Sequence, residues 1–224
     1  MLARVLVVAA IAATLVACGS RLAPVATPSP SDRSAVGVGT LLYEARFDGN
    51  DLRGSRLAGA DPSASEVIYG PAWIELRILK PRGETAIAFN APPRQNYAGD
   101  VELSVSPGSR FTLYWGLRGA VGGDLQYLLG LNTAQQSMQL TLFDRGLGVQ
   151  QPVSKPMPVP GLQTGRTVRL GIVLDGGRAL VYLDGDEIAQ VVDGRTWAPS
   201  IPSLGIVGDD GSVRITRVRY WELP

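Results

Sequence analysis

The run from Arg166 to Gly194 constrains this chain more than any other stretch. It reads TVRLGIVL, then Asp175-Gly176-Gly177, RALVYL, Asp184-Gly185 and DEIAQVV. Val168, Leu170, Ile172 and Leu174 recur at period two, the mark of a strand with one buried face. The two Asp-Gly steps supply the positive φ angles of tight hairpins, so three antiparallel strands are predicted in succession. Such a meander cannot cover its own apolar face and requires a second sheet, which the upstream chain can supply. Asp100–Ser106 sets Val101, Leu103 and Val105 against Asp100, Glu102 and Ser104. Trp73–Lys80 likewise sets Ile74, Leu76 and Ile78 against Trp73, Glu75 and Arg77. Further strands are read at 41–47, 66–69, 85–89, 111–117, 125–131 and 137–143, with a weak one at Val149. The last runs from Val213 to Trp221, and its break of phase between Ile215 and Val218 predicts a bulge. No helix is read. The 27 glycines and 16 prolines suit many short turns. The expected class is all-β, a two-sheet antiparallel β-sandwich of jelly-roll type.

The formal charge is +1, with 21 Lys+Arg against 20 Asp+Glu and no histidine. A near-neutral chain without a basic stretch argues against nucleic acid as a partner. Without histidine there is no Ser-His-Asp or Cys-His machinery and no His-ligated zinc. The single cysteine, Cys18, excludes an intrachain disulfide and a cysteine metal cluster. Any metal would be oxygen-ligated, which means calcium or magnesium.

Arg4 precedes an apolar run, Val5–Val16, of signal-peptide length. The run ends in Leu15-Val16-Ala17-Cys18-Gly19, which resembles a bacterial lipoprotein lipobox. The resemblance implies a signal peptide over 1–17, cleavage before Cys18 and lipidation of its sulfur, with two or more acyl chains giving stable anchoring. Losing Arg4 leaves 20 basic against 20 acidic residues. Residues 18–39 are rich in Ala, Pro, Ser and Thr and read as a flexible tether, about 25 Å long as a random coil. Residues 40–224 form the folded domain. The expected location is extracytoplasmic, on a lipid anchor in the cell membrane.

The succession GDVELSV, FTLYWGLRG, LQYLLGLN, MQLTLFDRG, GRTVRLGIVLDGGRALVYLDGDEIAQV and SLGIVGDDGSVRITRVRYWEL is similar to the concanavalin A-like, laminin-G-like jelly rolls of bacterial surface proteins. That superfamily includes lectins, carbohydrate-binding modules and laminarinase-type glycosidases. Its glycosidases carry a Glu-x-Asp-x-x-Glu triplet on one strand, so that acid and nucleophile flank one glycosidic bond about 5 Å apart. This chain has no such triplet, and Glu75 and Glu102 stand alone at outward positions. The resulting expectation is that the domain is not an enzyme. Asp184-Gly185-Asp186-Glu187 is read as turn chemistry, with a calcium site at Asp184 and Asp186 as the weaker alternative; no cofactor is otherwise expected. Asp209-Asp210-Gly211 is read in the same way.

Parity nominates a binding face. If Phe111, Leu113, Trp115 and Leu117 point inward, Tyr114 and Arg118 point out. Gln126 leaves its strand opposite Tyr127, and Gln139 and Thr141 leave theirs opposite Leu140. A flat ring beside amides, a hydroxyl and a guanidinium suits sugar recognition. The function expected is a membrane-anchored binding module for a glycan or other envelope polymer. The alternative is a docking domain for another envelope protein, with a glycoside hydrolase third. Trp73, Trp197 and Trp221 are assigned to packing.

Overall fold

The computed structural model describes residues 39–45, 47, 52–54, 61, 63–120, 125–144, 146–192, 197–199 and 202–223. Sixteen strands follow one another among the described residues. The first six are β1 (Thr40–Glu44), β2 (Leu52–Gly54), β3 (Ser65–Gly70), β4 (Trp73–Ile78), β5 (Gly83–Phe89) and β6 (Tyr97–Val105). Next come β7 (Arg110–Ala120), β8 (Leu125–Asn132), β9 (Ser137–Asp144), β10 (Val149–Pro152) and β11 (Met157–Pro158). The last five are β12 (Thr167–Asp175), β13 (Arg178–Leu183), β14 (Asp186–Val192), β15 (Trp197–Ala198) and β16 (Ser203–Glu222). The described residues hold no α-helix, only a 3-10 turn at Leu162–Thr164.

The strands form the two antiparallel layers of a jelly-roll β-sandwich. One layer runs β14-β13-β12-β6-β16, with β4 and β1 beside β16 and β3 beside β4. The other runs β10-β9-β8-β7-β16-β5-β2, with β11 next to β9 and β15 next to β7. β16 belongs to both layers, so the hydrogen bonding makes one continuous curled sheet. Its Ser203–Gly208 half pairs with β5 and β7, and its remainder pairs with β4, β6 and β1.

The crossing point is the segment read as a turn, Asp209-Asp210-Gly211. The chain does not reverse there. Gly211 takes φ +106°, and a Cβ on Gly208 would lie 2.4 Å from the Arg110 carbonyl oxygen and the Phe111 Cα. Both glycines let the strand bend against β7 without interruption. The expected phase break is a register shift between Ile215 and Arg217.

The meander forms as expected, from β12 to β14, and its turns use positive φ at Gly176, Asp184 and Gly185. The inner faces close one core, in which Trp115, Leu113, Leu131 and Ile206 of one layer join Leu103, Leu170, Ile172 and Val213 of the other. The Tyr97 hydroxyl and the Trp115 indole inside it are paired. Tyr97 Oη donates to the Leu117 carbonyl at 2.7 Å, and Trp115 Nε1 donates to Tyr220 Oη at 3.2 Å. Burial holds the Tyr220 hydroxyl well above its ordinary pKa. Trp197 packs against Tyr127 at 4.4 Å between centroids, and Trp221 is buried. Trp73 lies outside the core, under the Arg214 guanidinium at 4.2 Å.

Three readings of outward positions change. β12 is buried on both faces, because Val173 joins Ala98 and Trp221 in a second, small apolar cluster and Arg169 is covered too. Asp100, at 0% exposure, is bonded by Arg169 and by Arg219, the latter at 2.8 Å. Glu75 is also buried, between Arg77 at 2.6 Å and Arg214 at 2.9 Å. Burial pushes the Glu75 carboxyl up, and the two guanidinium groups overcome this and hold it below the usual carboxylate range. With Arg217–Glu102 at 3.0 Å, these pairs tile the outer face of the β4–β16–β6–β12 layer.

Candidate functional site

The other outer face, over β7, β8, β9 and β10, carries a cleft of about 180 Å³. Strand register builds it. Tyr114 stands in a row with Gly130 and Gln139 on one side and Gly205 on the other. Directly paired residues share a face, so the ring is flanked by two residues without side chains. A Cβ on Gly130 would lie 3.4 Å from Tyr114 Cε1, which puts the ring alongside that glycine. The adjoining row is Thr112, Asn132 and Ser137, again on neighbouring strands. Gln150 of β10 and Pro156 close the far side, and Thr141 lies in the floor.

Loops are fixed around these rows by hydrogen bonds. Gln139 Nε2 donates to the Ser154 carbonyl at 2.9 Å, and Ser154 Oγ accepts the Leu140 N–H at 2.9 Å. Together they hold the Pro-rich segment beside β9. Asn132 Oδ1 accepts the Gln135 N–H at 2.9 Å and shapes the β8–β9 turn. Thr133 and Gln163 tie that turn to the β6–β7 turn. Thr133 Oγ1 lies 2.8 Å from the Ser109 and Phe111 carbonyls, and Gln163 Nε2 donates to the Ser109 and Thr133 carbonyls at 2.9 and 2.8 Å.

Of the nominated residues, the structure brings Tyr114, Gln139 and Thr141 to this cleft. Gln139 is partly spent on Ser154, and Thr141 is buried, its hydroxyl 3.3 Å from the Leu128 carbonyl. Gln126 shares the face but stands beside Gly116 and does not line the cleft. Arg118 lies on β7, and its side chain is outside the described residues. Cys18 and the tether up to residue 38 also lie outside them. Asp184 is engaged elsewhere, accepting the Arg169 N–H at 2.9 Å and pairing with Arg166 at 2.9 Å. Among the described residues no three Asp, Glu, Cys or His side chains gather as a metal-binding group.

Sequence reasoning missed Thr112, Asn132, Ser137 and Gln150. Thr112 and Ser137 were legible, because each stands two residues from a nominated position on the same strand. Asn132 and Gln150 depend on register between strands, which parity does not supply.

Among the described residues, none that lines the cleft is charged. The side chains of Thr112, Tyr114, Gln135, Ser137 and Gln150 make no hydrogen bond to another described residue, so their polar groups face solvent uncommitted.

No protein-family model matches the sequence, and no curated protein is similar to it. Solved structures are similar in fold. The β-glucanase of Bacillus licheniformis overlays with a TM-score of 0.62 at 10% identity, over 82% of this chain and 99% of that one. The laminarinase catalytic domain of Thermotoga maritima overlays at 0.60 and 11%, over 84% and 100%. A carbohydrate-binding module of Bacillus subtilis aligns at 0.48 and 15%, over 69% and 95%, too loosely to bear on function. The fold is thus the concanavalin A-like jelly roll that the sequence resembles. The expectation that the domain is not an enzyme is corrected. Most of the similar solved structures are glycoside hydrolases of this same architecture, at 10–12% identity.

Proposed function

We propose that the Tyr114 cleft binds a neutral glycan chain, and that the domain is held at an extracytoplasmic membrane surface by lipid on Cys18. The observation that carries the first part is the lining: one ring flanked by two glycines in its row, beside the side chains of Thr112, Gln135, Ser137 and Gln150, which make no hydrogen bond to another described residue. A sugar's apolar face stacks on a ring, while its hydroxyls both donate and accept, as amides and hydroxyls do. An uncharged lining offers no counter-charge to an acidic polymer, which favours neutral sugars over the carboxylate-bearing chains of peptidoglycan. The similarity to glucanases and laminarinases is consistent with this reading.

The test is retention on immobilised neutral and acidic glycans, comparing wild type with Tyr114→Ala. The variant is expected to bind about 5- to 30-fold more weakly, since such ring contacts contribute about 1–2 kcal/mol. Its melting temperature should change little. Release of reducing ends from the same polymers measures hydrolysis separately. If no glycan is retained, or if the variant binds as wild type does, the face is a sheet surface and the envelope-docking reading replaces this one. For the anchor, Cys18→Ser should abolish incorporation of a palmitate analogue; equal labelling of both proteins refutes it.

A further inference from the structure

A second hollow, of about 320 Å³, opens at the end of the same face, between β8, β7 and the crossing segment of β16. It shares Thr112 and Asn132 with the Tyr114 cleft, so the two hollows adjoin across these two residues. The register explains why they are neighbours. Val207, Thr112, Asn132 and Ser137 form one row across β16, β7, β8 and β9. Four neighbouring strands span about 14 Å at the usual strand spacing.

The chemistry changes along that row. At the cleft end every described lining group is neutral. At the β16 end Val207 is 38% exposed, a large aliphatic surface turned to solvent, and Asp209 stands beside it, exposed. The neighbouring cation does not neutralise Asp209 by direct contact. Arg110 spends its Nε and Nη2 on Asp210, at 3.2 and 2.6 Å. Among the described residues Asp209 accepts no hydrogen bond. The backbone that carries it is pinned on both sides, by the close approach of Gly208 to β7 and by Gly211 against Ser109.

We propose that this hollow is a second subsite, taking the next sugar of a chain whose first sugar sits over Tyr114. In it Val207 contacts the sugar's apolar face and the Asp209 carboxylate accepts two of its hydroxyls. This rests on the glycan reading of the Tyr114 cleft. Two hydroxyls on one carboxylate are charge-assisted hydrogen bonds, stronger than the neutral ones of the cleft. The hollow therefore contributes chain-length selectivity.

The experiment is calorimetric titration of the full folded domain with glucose and with a neutral β-linked gluco-disaccharide. Wild type should bind the disaccharide about tenfold more tightly than glucose, the weight of hydrogen bonds to a charged group. Asp209→Asn should bring the two affinities within about twofold of one another, leaving the glucose affinity unchanged. Tyr114→Ala should weaken both. Equal wild-type affinities, or an Asp209→Asn protein that keeps the wild-type ratio, overturn the second subsite alone. Binding of neither probe overturns the glycan reading and the subsite with it. Asp209 is exposed, and its variant's melting temperature verifies that the fold is kept.

Discussion

Replacing Asp100 by Asn tests whether the charge lattice on the outer face of the β4–β16–β6–β12 layer is part of the fold. Asp100 has 0% exposure, and both its carboxylate oxygens are used, Oδ1 by Arg219 at 3.1 Å and Oδ2 by Arg169 and Arg219. The Arg169 side chain is 6% exposed, so the substitution leaves a guanidinium buried without its counter-charge. Removing one partner of a buried ion pair costs about 3–5 kcal/mol, mostly the desolvation of the charge left behind. For a domain of this size each kcal/mol lowers the melting temperature by about 2–4 °C, so a fall of roughly 10 °C is expected. Urea unfolding at neutral pH should show a lower midpoint with an unchanged slope. The effect should persist in high salt, because buried pairs are weakly screened. Asp210→Asn, which breaks the exposed pair with Arg110, is the control and should leave the midpoint nearly unchanged. Replacing Asp100 and Arg169 together by leucine should recover much of the loss. If Asp100→Asn costs no more than Asp210→Asn, the lattice is decoration and the argument fails.

Other substitutions probe the remaining joints. Glu75 is held low by Arg77 and Arg214; a carboxyl depressed in the folded state stabilises above its unfolded pKa, and that stability is lost as pH falls through the folded value. Unfolding free energies measured from pH 5 downward should therefore drop below about pH 4.3, and less steeply for Glu75→Gln. Gly208→Ala places a Cβ 2.4 Å from backbone atoms of β7 and should cost at least about 2 kcal/mol in urea unfolding, whereas Gly119→Ala, with its nearest contact at 3.6 Å, should be close to neutral. Gln163→Ala removes bonds to Gly108, Ser109 and Thr133 and should cost about 1–3 kcal/mol, with the Gly108 amide losing its protection from hydrogen exchange. Deleting Val213–Pro224 takes out the strand between β4 and β6 and should abolish cooperative unfolding.

The sequence made the strands legible because period-two alternation and Asp-Gly turns are local signals. Val101, Leu103 and Val105 lie inward as their alternation requires, and the bulge before Val218 falls where the phase breaks. What escaped depends on contacts between distant segments. Asp100 and Glu75 occupy outward positions, and outward was equated with solvated. Arginines 69 to 139 residues away in sequence cover them, and no local pattern announces that. Asp209-Asp210-Gly211 has the composition of a turn, yet pairing with β5 and β7 before it and with β4 and β6 after it keeps the chain running forward. The candidate site was half legible for the same reason. Parity placed Tyr114 and Gln139 on one face, whereas the rows that join them to Asn132 and Gln150 are set by strand order.

The two outer faces differ in a way that bears on function, and β16 shows it within one strand. Its first half presents Ser203, Gly205 and Val207, small or uncharged residues, to the Tyr114 face. Its second half presents Arg214, Arg217 and Arg219, each paired with a carboxylate of a neighbouring strand. A ligand on the second face would have to break ion pairs before making contacts of its own, and each broken partly buried pair would count against binding. On the first face the side chains of Thr112, Tyr114, Gln135, Ser137 and Gln150 make no hydrogen bond to another described residue, and there the ligand displaces only water. Polar surface is therefore not equally available on the two sides of the sandwich. The cleft that offers neutral groups with no internal hydrogen bond, from Thr112, Tyr114, Gln135, Ser137 and Gln150, can exchange water for a ligand at little cost, which is why the glycan reading is placed at Tyr114 and not among the arginines.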